Sequence, residues 1–284
     1  MYHIRKARMV AALLLVTLIG SFTPIYAAYK SVRPWDVMPE SIVSWASQTG
    51  LKEAYDAQRW SEFRGLADEL IGQPGLSTDR ALYLRLLIAR SGADRDPISD
   101  PAELALRVKY LNEAEELALL APADHHQALG FVYHDLAIFN QAGRDSAEEL
   151  RAWKKLVEQY YDVRFAAGAP EYWPTLTNTY DMPDLFAAAG ESPEHAVAYL
   201  QGLVRRHPVR EFRFMALLAL GRQYALLDDL NGVGSVVREA DRDFADLTSV
   251  PEFEVNLAGL RLIAKGKGHA TPAPRGGSCC EGKH

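Results

Sequence analysis

Apolar residues beyond about residue 50 recur with the spacing of amphipathic α-helices. Two of the clearest runs are Leu82, Leu86 and Leu87, and Leu150, Trp153, Leu156, Val157 and Tyr160. The chain shows no sustained alternation of apolar and polar residues, which is the signal of a half-buried strand. Turn signals rich in Gly, Pro, Ser and Asp interrupt the helical pattern at residues 72–77, 94–101, 121–124, 143–146, 190–193, 207–208 and 249–251. The sequence therefore predicts an all-α body of short helices joined by short turns into antiparallel hairpins.

Polar residues at the helix boundaries predict particular caps. Ser146 followed by Glu149 has the spacing of a capping box, in which the serine side chain begins the helix. At a helix end, residues 205–207 (Arg-Arg-His) precede Pro208. Cations at this position stabilise the negative end of a helix, so we expect these three residues to form a C-terminal cap.

One helical hairpin carries a pattern of small and aromatic residues. Leu220, Gly221 and Tyr224 have the spacing Leu-Gly-x-x-Tyr, and a turn and second helix follow with Asp229, Leu230, Val233, Val237 and Ala240. Over residues 216–240 this pattern resembles a tetratricopeptide repeat (TPR). A second partial match comprises Leu129, Gly130 and Tyr133, preceded by Ala114, Ala121 and Pro122 at the positions that end the previous repeat.

The glycine of this pattern has a physical role. A glycine after the leucine allows the paired helix to approach closely, and the tyrosine three residues later covers the same face. Such helix pairs leave an apolar face that only the next pair can bury, which produces a solenoid. Gly130 and Gly221 are 91 residues apart, which is not a multiple of the TPR period of about 34 residues. In addition, Gly232 and Gly234 lower the helix propensity of the second helix. We therefore expect an irregular TPR-like stack of about four to six hairpins, an α-solenoid, over residues 51–265.

The TPR resemblance implies a groove that binds a protein partner. The groove would be lined by first-helix residues just past the Leu-Gly pair, which here are Phe131 and His134, and Arg222 and Ala225. Arg222 would bind a carboxylate of the partner, or would be a solvated surface charge. The resemblance thus predicts a non-enzymatic scaffold or adaptor.

The first 28 residues have the layout of an export signal. Three cations precede the uncharged apolar run 9–20, and a short stretch of small and polar residues ends near Ala27. Because residues 9–28 carry no charge, the segment also fits an uncleaved membrane anchor. Both alternatives place the body outside the cytosol, since the positive end stays inside. Arg is more frequent than Lys, which favours a GC-rich bacterium, and in a bacterium with two membranes the body would be periplasmic.

A juxtamembrane segment, residues 29–50, follows the apolar run. Its Trp35 and Trp45 either lie at a membrane interface or pack within the fold. The chain has a net charge of −6, and because the first 28 residues carry three cations and no acidic residue, the remainder carries −9. A body this acidic repels phosphate backbones, so we expect no nucleic acid partner.

Catalytic motifs are absent from the sequence. We find no phosphate-binding loop, dinucleotide fingerprint, Gly-x-Ser-x-Gly or His-Glu-x-x-His sequence. His125, His126, His134 and Asp135 lie close together along the chain, and an all-helical hydrolase built on them is one alternative. We expect instead that these histidines are structural or face a partner, and that the chain is not an enzyme and has no cofactor.

Residues 164–183 interrupt the helical pattern with three Pro and several aromatic residues. They predict a long loop or an insertion of short helices. Tyr172, Trp173 and Tyr180 either form a surface that stacks against a peptide or fill the gap between neighbouring hairpins.

The C-terminal residues 266–284 are rich in Gly, Pro and charge, which predicts a flexible tail. Cys279, Cys280 and His284 in this tail, with His269 upstream, could ligate Cu(I) or Zn(II). The adjacent cysteines could also form a strained, easily reduced vicinal disulfide. The alternative function is therefore a metal- or thiol-handling accessory protein that works through the tail, and the remaining interpretation is an incidental tail.

Overall fold

A computed structural model describes residues 34–92, 100–163 and 173–266. Within these ranges the chain forms a 3-10 turn (Pro34–Val37) and 13 α-helices, with no β-strand. In chain order the helices are α1 (Glu40–Gln48), α2 (Leu51–Asp56), α3 (Trp60–Ile71), α4 (Thr78–Arg90), α5 (Pro101–Ala118), α6 (His126–Gly143), α7 (Ser146–Gln159), α8 (Trp173–Tyr180), α9 (Met182–Ala188), α10 (Pro193–Arg206), α11 (Arg210–Leu226), α12 (Leu230–Asp243) and α13 (Pro251–Ala264). The prediction of an all-α body is confirmed for the described residues.

Each helix packs mainly against its neighbours in the chain. The most extensive contacts join α4 with α5, α5 with α6, α6 with α7, α10 with α11, and α11 with α12. Contacts between helices that are not consecutive are fewer. They join α8 with α11, α11 with α13, α7 with α9, α9 with α11, and α1 with α4. One apolar core runs through the described helices, and its buried residues come from every helix from α1 to α13.

The helices α6 and α11 form the centre of this packing. Buried residues occupy all sides of both, including the uninterrupted runs 128–137 in α6 and 214–223 in α11. A helix buried around its whole circumference needs neighbours on every side. Such neighbours are present, because α5 and α7 pack on α6 and α4 contacts it through Arg90. On α11 pack α8, α9, α10, α12 and α13.

The core includes residues from the segment that the sequence analysis assigned as juxtamembrane. Trp35 and Trp45 are buried, and so is Ile42 between them. The Trp35 indole donates a hydrogen bond of 2.9 Å to Asp56 Oδ1 in α2. Of the two alternatives for these tryptophans, the geometry supports packing within the fold.

The helix caps differ in part from the predicted ones. Asp145, not Ser146, is the N-cap of α7, because its Oδ1 accepts the Glu148 backbone N–H at 3.2 Å. The capping box predicted at Ser146 and Glu149 is therefore wrong by one residue, and the Glu149 side chain is buried. Asp and Ser side chains also cap α4, α5, α10 and α12.

The described part of residues 164–183 is helical. It forms α8 and the start of α9, which agrees with the predicted insertion of short helices. Tyr180 packs against the core. Tyr172 lies outside the described residues.

Among the helices of the described ranges, none combines the length and apolarity needed to cross a membrane. The predicted signal or anchor, residues 1–28, lies outside these ranges, and so do the tail residues from 267 onward.

Candidate functional site

The glycines of the two Leu-Gly-x-x-Tyr sequences lie at close helix contacts. A Cβ atom added at Gly130 would lie 2.6 Å from Val163 Cγ1. One added at Gly221 would lie 2.7 Å from Leu260 Cδ1 in α13 and 2.8 Å from Val236 Cγ1 in α12. Any larger residue would meet these side chains at distances well below van der Waals contact. The close approach of a paired helix is confirmed at Gly221, while at Gly130 the close contact is with a residue that follows the paired helix.

The two glycines occupy different places along their helices. Gly130 is the fifth residue of α6, and its contact Val163 lies beyond the end of α7. Gly221 is the twelfth residue of α11, five residues before that helix ends, and it contacts the next two helices. Each of the two glycines thus has a close side-chain contact, but they do not occupy equivalent positions in their helices.

Gly232, which is expected to lower the helix propensity of α12, allows Tyr224 to pack against that helix. A Cβ atom there would lie 2.6 Å from Tyr224 Cγ. The Gly232 N–H also donates to the capping Asp229 Oδ1 at 2.9 Å. The tyrosine of the Leu-Gly-x-x-Tyr sequence therefore closes directly over the first turn of the second helix.

None of the four residues predicted to line the groove lies on an open surface. The exposed fractions of Phe131, His134, Arg222 and Ala225 are 5, 4, 6 and 7%. The expectation that Arg222 is a solvated surface charge is wrong. All four lie on α6 or α11, which neighbouring helices cover on every side, whereas the predicted groove requires one uncovered face on the first helix of each hairpin.

Phe131 and His134 belong to a buried cluster between α4, α6 and α7. The Arg90 guanidinium lies 5.0 Å from the centroid of the Phe131 ring, and its Nε lies 3.2 Å from Asp135 Oδ2. His134 Nδ1 is 3.1 Å from Asp135 Oδ1, and its ring meets Trp153 edge-on. Burial alone would raise the pKa of Asp135, but Arg90 and the hydrogen bond with His134 hold that pKa below its usual value.

Arg222 fixes α11 to the insertion helices. Its guanidinium forms an ion pair with Asp184 in α9 and donates to the Tyr180 carbonyl oxygen at 3.3 Å. It also lies 5.3 Å from the centroid of the Tyr180 ring. The carboxylate that Arg222 binds is thus provided by the chain itself, 38 residues earlier. Nothing in the local sequence pairs these two residues.

A second buried arginine connects three helices. Arg107 in α5 donates to the carbonyl oxygens of Ala89 and Ser91, at 2.8 Å each, where α4 ends. Its partner Glu103, one turn earlier, also binds Arg64 of α3, whose guanidinium lowers the pKa of Glu103. The i,i+4 spacing of Glu103 and Arg107 could have predicted their ion pair from the sequence, but not the contact with Arg64.

The histidines that are close in sequence do not converge. His125 Nε2 lies 3.1 Å from Asp79 Oδ1, while His126 Nε2 lies 2.7 Å from Asp162 Oδ1. His134 has Asp135 as its carboxylate partner. Within the described ranges, no group of three or more His, Cys, Asp or Glu side chains could hold a metal ion. The predicted metal ligands Cys279, Cys280 and His284 lie outside the described residues, as does His269.

The predicted C-terminal cap is present, because α10 ends with Arg205 and Arg206 and His207 is its C-cap residue. His207 also has a role that the sequence did not predict. It is buried, and its Nε2 donates to the Val157 carbonyl oxygen of α7 at 2.9 Å, fifty residues away in sequence. Its Nδ1 accepts the Val209 N–H at 3.2 Å, and its ring stacks on Phe212. Burial lowers the pKa of His207, because the charged form would lose its hydration. His207 thus connects the α10–α11 turn to the preceding hairpin.

The most exposed large apolar residue described is Leu120, at 73%, in the turn between α5 and α6. Its neighbour Leu119 is also exposed. Leu120 borders a recess, hereafter the Leu120 recess, whose other lining residues are Pro39, Thr78, Asp79, Tyr83, Ala121, Asp124 and His125. The recess combines an apolar rim with the exposed carboxylates of Asp79 and Asp124. The sequence gives no signal for this recess, because Leu119 and Leu120 continue the apolar pattern of the residues that form α5.

Comparisons with known proteins give no family assignment. No protein-family model matches the chain, and neither a curated protein nor a solved structure matches it at a significant level. A functional assignment therefore depends on the geometry of the chain itself.

Proposed function

We propose that this chain is a non-enzymatic scaffold of the bacterial cell envelope, built as an irregular TPR-like α-solenoid that binds a protein partner. The observation that carries the proposal is the Leu120 recess, where the exposed Leu120 lies beside exposed carboxylates. The partner binds there and not along the buried faces of α6 and α11. The scaffold is an accessory or assembly subunit of a membrane-associated complex.

The packing of the helices supports the solenoid architecture. Neighbours in sequence are neighbours in space from α4 to α7 and again from α10 to α13. The contacts at Gly221 join α11 with both α12 and α13, as expected where one hairpin is covered by the first helix of the next. The hairpin of α11 and α12, closed by Tyr224 over Gly232, is the most TPR-like of the fold.

The charged side chains of the interior support a structural role for the core. The clusters around Arg107, Arg222 and Asp135 each pair cations with anions from different helices. Such pairs fix the relative positions of helices, and a rigid frame is what a scaffold provides for a docking surface.

The chemistry of the Leu120 recess defines the partner segment. Full burial of one leucine contributes about 1.5–3 kcal/mol, so an apolar partner side chain gains by covering Leu120. Asp79 and Asp124 are exposed beside it, and the body as a whole is acidic. The recess therefore fits a protein segment that presents an apolar side chain next to Lys or Arg.

The basic and apolar pattern of residues 1–28 supports the location. As a cleaved signal or as an anchor, this segment would place the body outside the cytosol, where envelope complexes assemble.

The experiment is affinity capture from detergent-solubilised envelope membranes with matched variants. Leu119→Glu combined with Leu120→Glu places charge on the rim of the recess, and we expect the captured partner to be lost. Leu227→Glu combined with Leu230→Glu changes two comparably exposed leucines at another hairpin turn, and the partner should be retained. Asp124→Lys should weaken capture through the charge alone. Capture unchanged by the recess variants, or no partner on the wild-type chain, would overturn the proposal.

A further inference from the structure

The outward face of α13 is apolar. Val255 and Leu262 are 59% and 53% exposed, and Ala258 and Gly259 between them are exposed as well. These four residues have the i, i+3, i+4, i+7 spacing of a single helical stripe. We refer to them as the α13 face.

The opposite side of the same helix is buried in the fold. Phe253, Leu257 and Leu260 are buried against α11 and α12. No further helix follows α13 within the described residues. The terminal unit of a helical stack needs a polar outer surface to remain soluble alone. The α13 face departs from this rule, which indicates that another surface covers it.

The spacing of the α13 face is symmetric about its centre. The midpoint lies between Ala258 and Gly259, with Val255 and Leu262 at equal distances on either side. If two such helices pack antiparallel, Val255 of one copy lies opposite Leu262 of the other, and the small residues meet at the axis. Gly259 leaves room for this contact, because a Cβ atom there would find nothing within 4 Å. A self-complementary patch of this kind is what a two-fold interface requires.

The charges at the ends of α13 favour the same arrangement. Glu254 is exposed near its N-terminus and Lys265 is exposed at its C-terminal cap. Antiparallel pairing brings the Glu254 end of one copy to the Lys265 end of the other, so opposite charges meet at both ends. Parallel pairing would bring like charges together. The helix dipoles of an antiparallel pair also oppose each other favourably.

We propose that a second copy of this chain docks on the α13 face, with the two α13 helices antiparallel about a two-fold axis near Ala258 and Gly259. The contact is small, because a helix of 14 residues is about 21 Å long. A contact limited to this helix pair is expected to bury less surface than standard specific interfaces, which bury about 1,200–2,000 Å² in total. The dimer therefore forms and dissociates with concentration, and attachment to a membrane would promote it. The α13 face and the Leu120 recess are different surfaces, so a negative result for one does not affect the proposal for the other.

The first test is the mass of the full chain in solution, measured by sedimentation equilibrium over a range of concentrations in one mild detergent. We expect the wild-type mass to rise from that of one 31.6 kDa chain to twice that value. Val255→Glu combined with Leu262→Glu should remain monomeric, while Leu227→Glu combined with Leu230→Glu should dimerise as wild type. All these variants retain residues 1–28, so self-association of that segment affects them equally. A wild-type chain that stays monomeric, as expected if residues 267–284 or another protein covers the face, overturns the proposal.

The second test is cysteine cross-linking, which reports the geometry of the pair. In a background with Cys279→Ser and Cys280→Ser, Ala258→Cys near the axis should form a disulfide with its own copy. Val255→Cys mixed with Leu262→Cys should form a mixed disulfide, while Val255→Cys alone should not self-link. Self-linking of Val255→Cys as fast as that of Ala258→Cys would indicate a parallel pair and would overturn the proposal.

Discussion

Val163 packs directly on the α-carbon of Gly130, so closely that a Cβ atom at Gly130 would lie 2.6 Å from Val163 Cγ1. Val163 is fully buried and follows the end of α7, while Gly130 lies in the first turns of α6. The contact packs the segment that follows α7 against the first turns of α6. Gly221 has the same role between α11 and the two helices that follow it.

The glycine contacts predict that a single added methyl group destabilises the fold. We expect Gly130→Ala and Gly221→Ala each to lower the free energy of unfolding by about 1–3 kcal/mol, because the added Cβ overpacks a filled contact. Denaturant unfolding followed by circular dichroism measures the change.

Gly65 is the matched control for these variants. It lies within α3, is exposed, and has nothing within 4 Å of an added Cβ atom. Gly65→Ala should stabilise the chain by about 0.5–1 kcal/mol through helix propensity alone. If Gly130→Ala and Gly221→Ala behave like Gly65→Ala, the close contacts do not exist in solution.

The ion pair of Arg222 and Asp184 predicts a strong coupling between α11 and α9. Both side chains are largely buried, so Arg222→Ala leaves the Asp184 carboxylate without its cation and should destabilise by about 3–5 kcal/mol. The double variant with Asp184→Ala should be less destabilised than the two single variants together, and a double-mutant cycle measures that difference. Arg59→Ala, which breaks the exposed pair with Glu62, should change stability by no more than about 1 kcal/mol. Additive effects of the two changes at Arg222 and Asp184 would contradict the pairing.

His207 predicts a pH dependence of stability. Its folded-state pKa lies below 6.5, the value of the unfolded chain, because burial disfavours the charged ring. Its full contribution is therefore present above pH 6.5 and decreases as the pH falls from 6.5 through the folded-state pKa. The test is urea unfolding at a series of pH values. On acidification, the free energy of unfolding of His207→Gln should fall less than that of wild type. An equal decrease in both proteins would contradict the assignment of His207 as a buried neutral ring.

The sequence predicts the elements of this fold well because they depend on local patterns. The apolar period predicts the helices beyond about residue 50, and the Leu-Gly-x-x-Tyr spacing locates the close contacts at Gly130 and Gly221. It does not predict α1, which lies in the segment assigned as juxtamembrane. Helix propensity predicts only the cost of Gly232, and the structure adds that this glycine leaves room for Tyr224.

The candidate site could not be predicted in the same way. Whether Phe131 and Arg222 face solvent depends on how many helices surround α6 and α11, and those helices come from distant parts of the chain. The partner of Arg222 lies 38 residues away and that of His207 lies 50 residues away. Leu120 belongs to an apolar run in the sequence, and only the end of α5 at Ala118 places it in an exposed turn.

The most direct test of the scaffold proposal is site-specific photo-cross-linking in intact cells, with a photoreactive amino acid at position 120. We expect one discrete adduct with an envelope protein from position 120, and no adduct of that mass from position 230 in the control turn. The adduct should persist when Val255→Glu and Leu262→Glu are added. Absence of an adduct at position 120, or an equal adduct of the same mass from position 230, would contradict the assignment of the Leu120 recess as the partner-binding surface.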